Sequence, residues 1–219
     1  MNKDSKAAIW AVVHEEREAL ARDLEALPAA QWDIGSLCPG WDIHDVLAHL
    51  SDSATTTRLG FIRGMVSAGF DFDKDNDRGV ERARRAEPLE TLQGFRDVAR
   101  LTSTPPAALA TRLVEAFVHG EDIRRPLGMR GGYPAAFVAQ GLDYQVRTST
   151  KMGGGKELAA GFKLVATDTD FECGAGPAVR GPAIALLLAV SGRAPGYEEL
   201  AGPGSRDFLQ RVVGEAREH

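Results

Sequence analysis

The stretch LVEAFVHGEDIRRPLG, residues 113–128, sets Glu115, His119, Glu121 and Asp122 into an otherwise largely apolar run. Glu115 and His119 are four residues apart, which on an α-helix puts them about 40° apart around the axis, on one face. Leu113, Ala116 and Phe117 make that helix greasy, so part of the face carrying the polar groups is expected to be buried. A buried carboxylate is costly unless it is paired or bound to a metal. His49, in the apolar setting VLAHL, is the other candidate, on a helix that would have to pack beside the first. Two imidazoles and one carboxylate form a catalytic zinc set, with the fourth position left for water or substrate. Asp122, one turn past His119, could support such a set from outside it or act on a substrate. The same spacing also describes a buried histidine satisfied by a neighbouring glutamate. The pattern alone leaves both readings open.

The elements that must position these groups read as helices over the first two-thirds of the chain. Residues 5–27 carry Ile9, Val12, Val13, Leu20, Leu24 and Leu27 at helical spacing. Pro39 and Gly40 then break the chain, and Asp42 is a good N-cap. Asp45 can complete a capping box, while Trp41 and Val46 occupy the two positions of a hydrophobic staple. This start fixes where His49 points, two turns into the helix. FDFDKDNDRG reads as a polar loop, followed by a helix near residues 88–102. The helix bearing Glu115 is expected to open at STPPAALA, with Thr104 as cap and Pro105 in its first turn, and to close at RRPLG. GGYPAAFVAQGLDYQVRTS reads as one more helix of the bundle.

After KMGGGKE, which has the composition of a flexible link, the pattern changes. FKLVATDTDFECGAGPAVRG alternates apolar and polar residues between glycines and prolines, as short strands do. PAIALLLAVSGR reads as a buried helix ending at Gly192, and SRDFLQRVVGEAREH as a short final helix. The expected fold class is α+β: a four-helix bundle over residues 1–150 and a small α/β domain over 155–219.

Composition narrows the function classes. A net charge of −5 offers no electrostatic reason for a nucleic acid or an anionic membrane as partner. The N-terminus is charged every few residues, unlike a signal peptide, and the apolar run PAIALLLAV is too short to span a bilayer. Two cysteines, Cys38 and Cys173, make no disulfide framework and read as reduced thiols in a cytoplasmic protein. DFDKDNDRGVER resembles a calcium loop only superficially, since its sixth and twelfth positions from Asp71 are Asn76 and Arg82. KMGGGKE lacks the upstream glycine and following hydroxyl of a phosphate loop, and no Gly-x-Ser-x-Gly elbow is present. His44, in the first turn after Asp42, and the arginines of ERARRAEP are expected on solvated faces.

Three motifs in order, CPGWDIHDVLAHL, EAFVHGEDIRRPLG and TDTDFECGAGPAVRGPAIALLLAVSGR, resemble the mycothiol-dependent maleylpyruvate isomerase family of the DinB-like superfamily. The resemblance covers nearly the whole chain. It implies a DinB-like four-helix bundle that binds a divalent metal, usually zinc, followed by a small α/β domain. The implied metal ligands are His49, Glu115 and His119. Arg193, in SGRAP, resembles a family arginine that could bind a substrate carboxylate; a helix-end cation is the alternative.

The implied cofactors are zinc, or another divalent metal, and mycothiol. An open metal position can hold a cofactor thiol as thiolate at neutral pH, ready to add to a small electrophile. Addition to a conjugated double bond, rotation and elimination would give isomerisation; transfer of the thiol would give an S-conjugate. Two other classes stay open: a metal hydrolase using activated water, and a non-catalytic binding or stress module. Both a monomer and a homodimer are compatible with the sequence.

Overall fold

Helix-forming segments with one apolar stripe each must bury those stripes against one another, and the first part of the chain does so as a bundle. The computed structural model describes residues 3–215, so the last four residues of the expected C-terminal helix lie outside the described part. The chain divides into two compact units, Met1–Gly131 and Gly132–His219.

In the first unit, α1 (Lys3–Asp23), α2 (Ile43–Thr55), α5 (Pro88–Val98) and α6 (Ala110–Arg124) form the bundle. α1 packs on α6, α6 on α2, α2 on α5, and α5 back on α1. Leu20, Leu24, Trp32, Ile43, Leu47 and Phe95 fill the centre and are almost wholly buried. Burial of side chains of this size stabilises by about 1.5–3 kcal/mol each before conformational entropy is counted. α3 (Arg58–Ser67) and α4 (Phe72–Ala83) form the long connection between α2 and α5.

The start of α2 follows the expected capping box. Asp42 Oδ1 accepts from Asp45 N at 2.7 Å, and Asp45 Oδ2 accepts from Asp42 N at 3.2 Å. Arg84, expected on a solvated face, instead sits over this box. Its Nη1 donates to Asp42 Oδ1 at 2.8 Å and to Asp45 Oδ1 at 2.5 Å. His44 is likewise inside rather than outside. It is 2 % exposed and paired at 2.7 Å with Thr91 Oγ1. Burial, and after it the Arg84 charge, lowers its pKa, so it packs as a neutral ring.

Four boundaries differ from the sequence expectation, the first being that α1 ends at Asp23 rather than near 27. FDFDKDNDRG is not a loop but the start of α4: Asp71 caps it by accepting from Lys74 N at 3.1 Å. Asp73 and Asp75 in its first turn and Arg82 in its last complement the helix dipole, and Gly79 and Val80 are buried where the helix meets α2. α5 ends at Val98 rather than near 102. α6 begins at Ala110, not at Thr104. Pro106 disfavours helical geometry at Pro105, and the Thr104 hydroxyl is left buried without a hydrogen-bond partner.

The second unit holds α7 (Ala135–Arg147), the short α8 (Lys156–Ala159), three strands, α9 (Ala183–Val190) and α10 (Ser205–Glu215). β1 (Lys163–Ala166) lies centrally, antiparallel to β2 (Glu172–Gly174) and parallel to β3 (Ala178–Gly181). Leu164 pairs with Cys173 on one side and Val179 on the other. The apolar α9 is buried almost completely.

α7 was expected in the bundle, but its apolar face packs on α9, so this unit begins before it. The glycine run expected as a flexible link is packed inside the unit. A Cβ on Gly155 would stand 2.0 Å from Val190 O, and one on Gly154 would stand 2.1 Å from Thr148 O. These glycines allow close backbone approach; they do not supply slack. No helix among the described residues is long and apolar enough to cross a membrane.

Candidate metal centre

α2 and α6 pack side by side in the first unit, and this contact decides which polar groups meet. His49 and Ser53, one turn apart on α2, face the row Arg112, Glu115, His119 and Asp122 on α6. The His49 and His119 rings lie 4.9 Å apart between centroids, at 75°. Trp41, just before the Asp42 cap, covers His49 at 5.0 Å and is itself tethered through Nε1 to Asp77 Oδ1 at 3.1 Å. His49 is thus half-buried, unlike the fully buried His44 in the same helix. Burial, and then the His119 and Arg112 charges, push its pKa down to about 3, so it is neutral throughout the physiological range. Neutral imidazole is the form that binds metal.

His119 Nδ1 donates to Asp122 Oδ2 at 2.9 Å, and Asp122 is wholly buried. With Nδ1 carrying the proton, Nε2 is left as the lone-pair nitrogen. This is the carboxylate–histidine arrangement that orients metal-binding imidazoles and raises their basicity.

Glu115 shares the α6 face with His119, as its spacing requires, but its carboxylate is engaged elsewhere. Ser53 Oγ donates to Oε2, Arg112 Nη1 lies 2.9 Å from the same oxygen, and Arg17 Nη2 lies 3.7 Å from Oε1. Burial alone would raise the Glu115 pKa; Arg112, Arg17 and further neighbours hold it below the ordinary value, so it is ionised. Among the described residues, no three His, Cys, Asp or Glu side chains are gathered in metal-binding geometry. The chemistry of the donor set nevertheless fits a borderline cation: two imidazoles, one of them with its Nδ1 held by a carboxylate, and an ionised carboxylate one turn along the same helix.

Residues 13–104 match the family model described as the mycothiol maleylpyruvate isomerase N-terminal domain. The matched segment runs from α1 through α5 of the N-terminal unit. Two crystal structures of the mycothiol-dependent maleylpyruvate isomerase, one of them a histidine-to-alanine mutant, have the same fold as this chain. Each aligns at 16 % identity and a TM-score of 0.63, covering 91 % of this chain and 93 % of that chain. No curated protein matches the sequence.

His49 lies inside the matched segment, whereas Glu115 and His119 lie beyond it on α6. Arg193 belongs to the second unit. There its Nη1 donates to Ser191 O at 2.7 Å and its backbone N to Leu188 O at 2.9 Å, closing the end of α9. Arg125, at the end of α6, is bound to Glu121 Oε2 at 2.6 Å.

Arg17, Ser53 and Arg112 were missed as parts of the site. Arg112 and Ser53 carried a readable signal, being three residues before Glu115 and four after His49. Arg17 carried none, because only the packing of α1 on α6 brings it near.

Proposed function

We propose that the chain is a thiol-dependent enzyme, an isomerase or S-transferase. It would use mycothiol on a small, carboxylate-bearing electrophile, at a divalent metal held by His49, Glu115 and His119. The observation that carries this reading is the paired His49 and His119, with Nδ1 of His119 held by Asp122, beside a segment that matches this family's N-terminal model. Zinc is the metal that two imidazoles and a carboxylate favour. When bound, it would supply a thiolate at neutral pH from a thiol whose ordinary pKa lies near 8.5.

The chain's own residues do the rest. Neutral His49 offers a nitrogen with no proton to displace. Asp122 keeps the proton of His119 on Nδ1 and the ring in one orientation. Trp41 screens His49 from water on one side, which strengthens electrostatic interactions beneath it. For Arg193 the resemblance alone supports a role toward a substrate carboxylate, beyond its place at the end of α9.

The test is turnover of maleylpyruvate by zinc-loaded protein with and without mycothiol. Conversion to the trans isomer that requires the thiol is the expected result. Hydrolysis without thiol would replace this reading with a metal hydrolase. If this and a panel of other electrophiles are left unconsumed under both conditions, the chain is a binding module.

A further inference from the structure

Two buried guanidiniums face a single carboxylate beside the histidine pair. Arg17 on α1 is 2 % exposed; its Nη1 donates to Ala99 O at 3.3 Å and Leu101 O at 3.2 Å. Its Nη2 is buried without a hydrogen-bond acceptor, at 3.7 Å from Glu115 Oε1. Arg112 on α6 is 6 % exposed; its Nη1 is shared between Ser53 Oγ and Glu115 Oε2, each at 2.9 Å. Its Nε reaches only Thr111 Oγ1 at 3.5 Å.

The charges that act on Arg17 are those of Glu115 and Arg112, one attractive and one repulsive. Arginine cannot shed its proton to escape this. Among the described residues, Glu115 is the carboxylate within ion-pair distance of both buried cations, and an unbalanced buried charge is expensive. Site and cost together describe a place built for a second anion.

We propose that Arg17 and Arg112 form an anion seat that takes a carboxylate of the electrophile. The seat lies on the same α6 face as His119, seven residues or about 10 Å along the axis from it. The guanidinium fork suits a carboxylate in particular, because it offers two parallel donors to two oxygens. In naming the substrate's carboxylate the inference rests on the proposed function, whereas the seat itself requires no metal. Glu115 is the internal competitor for it.

The experiment uses metal-free, chelator-dialysed protein titrated with succinate, and with succinamide as the uncharged control, by calorimetry at fixed ionic strength. Succinate is expected to bind and succinamide not. Arg112→Met should weaken succinate at least tenfold, whereas Glu115→Gln, which removes the competitor, should tighten it about tenfold. The Glu115→Gln arm stays readable even if Arg112→Met does not fold. Equal binding by wild type and Arg112→Met would overturn the seat. So would weaker binding by Glu115→Gln, or no binding of succinate by either wild type or Glu115→Gln. Glu115→Gln also removes a metal ligand, so a seat that tightens in this variant stands whether or not the wild type binds zinc.

Discussion

Arg124→Met is expected to destabilise the protein by about 3–5 kcal/mol at pH 8, the cost of breaking a buried ion pair from one side. Arg124 is the last residue of α6 and is 1 % exposed. Its Nη1 donates to Glu16 Oε1 and its Nε to Asp23 Oδ2 at 2.7 Å, so one guanidinium clamps α6 to two points about two turns apart on α1. The helix face that carries His119 is thereby held at its C-terminal end.

The cost should depend on pH. Burial raises the Glu16 pKa to about 7 despite Arg124, so the folded state holds this proton more tightly than the unfolded chain does. That contribution is fully present below the unfolded value of 4.5 and is lost as pH rises through about 7. At pH 5 Glu16 is protonated with or without Arg124, and the variant's penalty should shrink. Urea unfolding of wild type and Arg124→Met at pH 5 and pH 8 checks both points. Glu16→Gln should flatten the wild-type slope between these two values. A penalty below about 1 kcal/mol at pH 8 would mean that the clamp contributes little.

The second large effect is on chemistry rather than stability. His49→Ala is expected to lower thiol-dependent kcat/KM by at least about a thousandfold, equivalent to about 4 kcal/mol of transition-state stabilisation. Its thermal midpoint in the metal-free state should change little, because His49 is neutral and partly accessible. His44→Ala makes the contrast, since His44 is two residues into the same helix but is buried against Thr91. That variant should lose stability while the surviving folded protein keeps its turnover. If both variants lose stability and turnover together, His49 is a core residue and not a ligand.

The start of α2 was legible because its signals are local. A capping box, a staple and a Pro-Gly break act within eight residues, and they set where α2, and with it His49, begins. The Glu115–His119 face was legible for the same reason. What escaped was set by packing. His44 and Arg84 occupy positions where composition suggests solvent, and only their contacts with α5 and with the α2 cap draw them inward. The segment after Asp71 is so polar that it shows almost no apolar stripe, yet a cap, a favourable dipole pattern and one buried turn suffice for a helix. α7 has an ordinary amphipathic pattern, and nothing in such a pattern says whether its partner will be α6 or α9. Glu115's engagement with Arg17 and Arg112 depends on three helices at once, so spacing along one of them could not disclose it.

The most direct test of the central claim is metal content by mass spectrometry, on protein purified without a metal-binding tag, for wild type, His49→Ala and His119→Ala. About one zinc per wild-type chain, lost in both variants, is the expected result. A metal-free wild type that also gains no thermal stability from added zinc would contradict a metal centre on α2 and α6.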